Sequence, residues 1–336
     1  MKPRRYLIKY SSMTRNSIFS VMLGLLFLAM TASSCNKFEG SQTVPSYIHI
    51  ESIDVDTLTD YFVYGATTHK ITDAWVYIDD NPIGCYELPS TFPVLKKGPH
   101  KVTVYGGIKV NGIAASRDRY PFYMPRVYQN LNLVEDSIVN LSPALSYFPV
   151  GEGVNIAWME DFENTNSLLP DDSSDTSIVR FTGNGAWHSA NSFFSGKVEL
   201  PPDTMDFTVV TADEFDFYKG SNGVSCLLEM DYNCNDTFFV GVQYFENYQL
   251  TEMPLVKVTP TDKEHDRPQR WNKIYINIGP MMNNNINSNY FKLYLTSDLT
   301  TDQDLLYGNV YHPINEQRYY YFDNMKLLWK HLSAAQ

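Results

Sequence analysis

Two hydrophobic patterns run along this chain. The first is a single unbroken apolar stretch, IFSVMLGLLFLAM at residues 18–30, behind an N-terminus carrying Lys2, Arg4, Arg5, Lys9 and Arg15 and ahead of Thr31, Ala32, Ser33, Ser34 and Cys35. It falls short of the roughly 20 apolar residues a permanent membrane helix needs. A basic start, a short apolar centre and small residues before a cut describe an export signal. The second pattern is alternation of apolar and polar positions in short runs, which predicts strands and turns with no sustained helical period.

Predicted strands of the first half begin at 47–54, where Ile48, Ile50 and Ile53 share a face, and continue through Tyr61-Phe62-Val63-Tyr64. Within 74–107, Ala74, Val76 and Ile78 line one face, Asp79-Asp80-Asn81 turns the chain, and Pro82 and Gly84 start the return. Lys97-Gly98-Pro99 then leads into His100, Val102 and Val104 on one face. Shorter strands are expected at 120–123, 127–133 and 137–141, before Pro143, Pro149, Gly151 and Gly153 interrupt the pattern. The second half is read as strands at 154–162, 177–182, 206–211, 225–232, 237–245, 271–278, 290–296 and 319–329. In the first of these, Val154, Ile156 and Trp158 are expected on one face, and in the fourth Cys226, Leu228, Met230, Tyr232 and Cys234 are. Many short strands with turn residues between them indicate an all-β chain of two β-sandwiches.

Composition sharpens this. The 336 residues include 24 Tyr and 19 Phe, residue types that pack well on pleated sheets. A net charge of −12 argues against a nucleic-acid partner, which would require a basic face. Besides Cys35 the cysteines are Cys85, Cys226 and Cys234, an odd number that speaks for free buried thiols rather than a disulfide framework. The organisation expected is a signal at 1–34, a tether at 35–45, a first β-sandwich at 46–150 and a second at 151–331.

Ala32-Ser33-Ser34-Cys35 resembles the lipobox of bacterial lipoproteins, with Ala32 where leucine is usual. The resemblance implies a diacylated, palmitate-bearing Cys35 as the first mature residue and an outer-membrane location. An ordinary secretory signal, or an uncut anchor, is the competing reading. Val76, Ile78, Asp79, Gly84, Pro89, Gly98, His100, Val102 and Val104 resemble PEGA-like and immunoglobulin-like modules, which are spacers and interaction platforms. In the second half MEDFEN at 159–164, LEMDYN at 228–233, WNKIYINIG at 271–279 and YYYFDNMKLLWK at 319–330 resemble jelly rolls of carbohydrate-binding modules and concanavalin-like domains. Together these features are similar to outer-membrane lipoproteins of Bacteroidota-type bacteria.

Glu229 and Asp231 point to one face of a strand, and paired carboxylates are what glycoside hydrolysis requires. Concanavalin-like glycosidases carry a third carboxylate where this chain has Asn233, so an acidic but non-catalytic face is expected. The histidines show no metal spacing, and no nucleophile elbow or nucleotide loop is present. A sugar-binding surface needs exposed rings with polar neighbours, which makes Trp187, Phe239, Gln243 and Phe245, beside Glu229 and Asp231, the ligand-binding candidates. Likeness to jelly rolls also implies a calcium clamp from Glu160, Asp161, Glu163 and Asp323, with solvated acidity as the alternative. The function expected is a non-catalytic, lipid-anchored protein binding glycan or an envelope protein. A glycoside-active enzyme and a structural subunit of an outer-membrane complex are the alternatives.

Overall fold

A computed structural model describes residues 43–56, 60–201, 206–219, 223–261, 270–297 and 317–332, with residues 20, 22 and 23. The lipobox and Cys35 lie outside the described residues. Among those described, no helix is long and apolar enough to cross a membrane. The chain divides into two compact units, Met1–Pro45 and Ser46–Gln336. All of the sheets and both hydrophobic cores belong to the second unit.

The fold is all-β. Ser46–Ile50 lies between Ile138–Leu141, to which it is parallel, and Ser90–Val94, to which it is antiparallel. Against this small sheet packs a larger one. In it Gly98–Lys109 pairs along one edge with Asp73–Ile78, which carries Asn81–Glu87, and along the other with Arg117–Arg119 and Arg126–Leu133. The expected alternation is obeyed: Ile48, Ile50, Ala74, Val76, Ile78, Val102 and Val104 are all fully buried in one core. Asp79 and Asp80 turn with φ of 50° and 63°, the backbone a tight hairpin requires. His100 bonds the turn through Asp79 at 2.7 Å.

The second half is a sandwich of two sheets around a separate core. One sheet runs Leu168–Pro170, Thr208–Thr211, Phe291–Ser297, Phe238–Glu246, Gln249–Val258. The other runs Val179–Phe181, Ser195–Leu200, Arg318–His331, Val224–Cys234, Asn272–Asn277, and Asn155–Glu160 also pairs with Arg318–His331. As the alternation predicts, Cys226, Leu228, Met230, Tyr232 and Cys234 face this core, as do Phe238, Val240 and Val242.

Three local readings are corrected. Tyr61–Tyr64 is a short helix rather than a strand: Asp60 caps it by accepting the Phe62 N–H at 2.9 Å, and Gly65 ends it at φ 67°. Val154, Ile156 and Trp158 do not share a face. A bulge between Ile156 and Trp158 sends Val154 and Ile156 to the first core and Trp158 to the second. Gln249–Val258 escapes the sequence pattern because it is a largely exposed edge strand, where Pro254 is tolerated. Cys226 and Cys234 are buried free thiols, but Cys85 is exposed.

The two cores meet across the outer face of the second sheet. Leu227, Tyr275 and Leu328 leave the sandwich and join the first core. Asn111 receives the Asn277 N–H at 2.9 Å, the Lys70 N–H donates to the Tyr275 hydroxyl at 2.9 Å, and Lys330 Nζ donates to the Pro121 carbonyl at 2.8 Å.

Candidate functional site

The alternation that puts Leu228 and Met230 inside puts Glu229 and Asp231 on the opposite face of Val224–Cys234, and that face is the junction. Both side chains are buried, Glu229 completely. Tyr120 and Tyr147 donate to the Glu229 carboxylate, Tyr147 at 3.0 Å. Lys273 Nζ lies 3.3 Å from Glu229 and 3.4 Å from Asp231, and Lys326 Nζ lies 4.0 Å from Glu229. Two buried acids and two buried bases therefore balance. Burial opposes the Glu229 charge, yet the two lysines hold its carboxyl below the usual range. Burial likewise opposes Lys273, but two carboxylates raise it; burial, aided by the neighbouring Lys273 and only partly offset by Glu229 and Asp231, pushes Lys326 down to about 8. Four buried tyrosines, Tyr120, Tyr123, Tyr147 and Tyr275, enclose the cluster, each raised well above its ordinary value by burial.

The expectation that Glu229 and Asp231 line a sugar-facing surface beside Phe239 is thus corrected. The carboxylates belong to one sheet and are roofed by the first half of the chain, whereas Phe239 belongs to the other sheet. Phe239, Gln243 and Phe245 do share the outer face of the sheet that holds Phe238–Glu246: Gln243 donates to Glu252 at 2.7 Å, Lys257 stands 5.6 Å from the Phe239 ring, and Phe245 stacks on Tyr290. Gln243 is buried there.

Trp187 lies elsewhere, in the loop before Ser195–Leu200, half-buried and edge-on to Trp271 at 5.9 Å. Its backbone N–H donates to Ser195 Oγ at 2.8 Å, and Ser195 donates to Asp323 at 2.7 Å, so a buried carboxyl fixes the loop. Burial raises Asp323 to about 8. Gly185, at φ 106°, lies flat over Tyr321, where a Cβ would sit 3.0 Å from the ring.

Between this loop and the Tyr61–Tyr64 helix runs a groove of two adjoining pockets, of about 420 and 610 Å³. Tyr61, Gly65, Ala66, Ala190 and Asn191 are common to both. Trp187 and His69 belong to the larger pocket; Phe62, Phe193, Asp161, Glu163, Asn324 and Lys326 belong to the smaller. Phe62 is 91% exposed and Phe193 55%. Three buried polar atoms of wall residues have no partner: His69 Nδ1, Trp187 Nε1 and Asn324 Oδ1. Asn324 owes its position to a bulge opposite Glu229–Asp231, where it is the extra residue, held at φ 46°. Burial lowers the His69 imidazole.

The expected calcium ligands do not converge as a clamp. Glu160 accepts the Phe162 and Ser167 N–H groups, Asp161 accepts from Tyr61 and the Glu163 N–H, Glu163 accepts the Phe193 and Phe194 N–H groups, and Asp323 accepts from Ser195 and the Asn324 N–H. Among the described residues no three His, Cys, Asp or Glu side chains form a group able to hold a metal ion. The carboxylates order a loop instead. Sequence reasoning passed over Tyr61, Phe62, His69 and Asn324, because a four-residue capped helix and a one-residue bulge carry no periodic signal; the Asp60 cap four residues ahead of Tyr64 and Gly65 was the available clue.

No family model matches the chain, and no curated protein matches it. Solved structures similar to it are carbohydrate-binding modules. The CBM22-1–GH10 modules of Clostridium thermocellum xylanase 10B, complexed with xylohexaose, share 15% identity over 54% of this chain at a TM-score of 0.34, and the match spans 30% of that chain. The family 11 module of the same organism, complexed with a β-1,3-1,4-mixed-linked tetrasaccharide, shares 11% over 50% of this chain and 93% of its own, at 0.32. A module from a study of promiscuous specificity in the β-sandwich superfamily shares 10% over 86% and 99%, at 0.33. The all-β architecture stands on the chain's own strand ladders, independently of these likenesses.

Proposed function

We propose that this protein is a non-catalytic glycan-binding lipoprotein that takes sugar in the groove between the Tyr61–Tyr64 helix and the Trp187 loop. The observation that carries the reading is the set of three partnerless polar atoms, on His69, Trp187 and Asn324, in walls that also present the rings of Tyr61, Phe62, Trp187 and Phe193. A buried polar atom without a partner costs about 1–3 kcal/mol, a cost a bound hydroxyl or amide removes. Rings beside such atoms suit a pyranose, which has an apolar face and a polar edge. A non-catalytic role is supported by the chemistry of the acids: Glu229 and Asp231 are sealed, and Asp161 and Glu163 are engaged by Tyr61 and backbone N–H groups. The lipid anchor on Cys35, and with it an outer-membrane location, rests on the lipobox resemblance alone.

The test is a glycan array probed with the full chain, followed by calorimetry on the retained sugars. Trp187→Ala is expected to weaken binding about tenfold or more while Phe239→Ala leaves it unchanged. The reverse pattern would move the site to the outer face bearing Phe239, Gln243 and Phe245, and release of shortened sugar would establish the enzyme alternative. Cys35→Ser is expected to free the protein from membranes; retention there would count against the anchor. If no glycan is retained, an envelope-protein partner recovered from membranes would make the structural-subunit reading the better one.

A further inference from the structure

The smaller pocket has a one-sided hydrogen-bonding character. Its donors are already used: the Tyr61 hydroxyl donates to Asp161 at 2.9 Å, Lys326 Nζ to the Ala66 carbonyl and to Tyr147 at 3.2 Å, and Asn324 Nδ2 to Asp231 at 2.8 Å. Two of its acceptors are not. Glu163 spends Oε1 on the Phe193 and Phe194 N–H groups, at 2.7 and 2.8 Å, and leaves Oε2 without a partner. Asn324, 2% exposed and on the wall of the same pocket, leaves Oδ1 without one. Only the exposed amides of Asn164 and Asn191 offer side-chain donors as well.

The charge is equally one-sided. Asp161 and Glu163 are half-buried at the wall, and the single lysine there is committed to the junction. Tyr61 and Phe62, edge to face at 6.0 Å, supply ring faces on the same wall, with Phe193 on the same pocket. Acceptors, carboxylates and rings around a small pocket are the surroundings that a desolvated ammonium group prefers, since rings attract a cation and carboxylates accept its hydrogens.

We propose that this pocket binds the protonated amine of a de-N-acetylated amino sugar, with Asp161 and Glu163 as counter-charges, Asn324 Oδ1 as an acceptor and Tyr61 and Phe62 as the ring wall. The inference rests on the groove being the sugar site and goes further by naming the substituent it selects. A neutral acetamido group would leave the two carboxylates uncompensated, and a uronic acid would be repelled by them.

Isothermal titration of the full chain at low salt with a β-1,4-linked glucosamine trisaccharide, its fully N-acetylated counterpart and a lysine-containing tripeptide tests this. The amine trisaccharide is expected to bind about tenfold tighter than the acetylated one and to weaken as salt screens the carboxylates. Asp161→Asn, which keeps one acceptor oxygen for Tyr61, and Phe62→Ala, at a position 91% exposed, should each remove most of that preference, Phe62→Ala without lowering the melting temperature. Equal or tighter binding of the acetylated sugar would overturn the amine assignment while leaving the groove as a sugar site. Unchanged preference in both variants would overturn its location. A tripeptide binding as tightly as the trisaccharide would overturn the assignment to a sugar, and silence from every glycan would remove the groove reading as well.

Discussion

Glu229→Gln is the sharpest test of the junction. The wild-type cluster holds Glu229, Asp231, Lys273 and Lys326, so at neutral pH its charges cancel. At an effective dielectric of about 20, the gross attractions lost with Glu229 are roughly 5 kcal/mol to Lys273 at 3.3 Å and roughly 4 kcal/mol to Lys326 at 4.0 Å. The net cost is smaller, because the carboxylate's own desolvation is recovered and glutamine still accepts from Tyr120 or Tyr147. Lys326, already pushed down to about 8, can also shed its proton, which near pH 7 limits its share to roughly 1–2 kcal/mol. A loss of about 3 kcal/mol is expected, at the low end for breaking a buried pair. For a unit of this size that is about 5 °C in Tm, read by differential scanning calorimetry. The pH dependence is the stricter check. Above pH 8 Lys326 is neutral in the wild type, the cluster there is one charge negative, and removing Glu229 restores balance. The penalty should therefore shrink between pH 7 and pH 9. A penalty under about 1 kcal/mol at pH 7, or one that grows with pH, would refute this account of the cluster.

Asp323 gives the opposite slope: its carboxyl titrates near 8 when folded against 3.8 when free, so the stability it contributes is fully present below 3.8 and is lost as pH rises through 8. Asp323→Asn should raise Tm relative to wild type at pH 9 and give no gain at pH 4. Among Cys85, Cys226 and Cys234, native protein should react with a thiol reagent only at Cys85; burial raises the other two thiols, and they should label only on unfolding. Saturating calcium should leave Tm unchanged, since Glu160, Asp161, Glu163 and Asp323 already accept N–H and hydroxyl donors; a rise would revive the clamp.

Where two-residue alternation ran uninterrupted, the chain was legible. Ile48 and Ile50, Val102 and Val104, and the face from Cys226 to Cys234 all point where the pattern predicts. Reading failed where one residue breaks register. Ala157 opens a bulge that divides Val154 and Ile156 from Trp158, and Asn324 opens another that aims a strained asparagine at a pocket wall. It also failed where polarity had two meanings. Glu229 and Asp231 read as a solvated or ligand-facing edge, because nothing local announces that Lys273 and Lys326, more than 40 positions away along the chain, will arrive to neutralise them. Tyr61 and Phe62 looked like strand residues for a related reason: aromatic composition favours sheets, and a single capping aspartate overrode it.

Arg318–His331 pairs with Asn155–Glu160, Ser195–Leu200 and Val224–Cys234, and its alternate side chains feed both cores, Leu327 one and Leu328 the other. Both cores are therefore completed only when residues 318–331 are in place. More than 250 residues of the chain precede that segment. Completion of both cores is thereby tied to this one C-terminal segment, so a truncation that removes it would expose apolar surface in both halves at once.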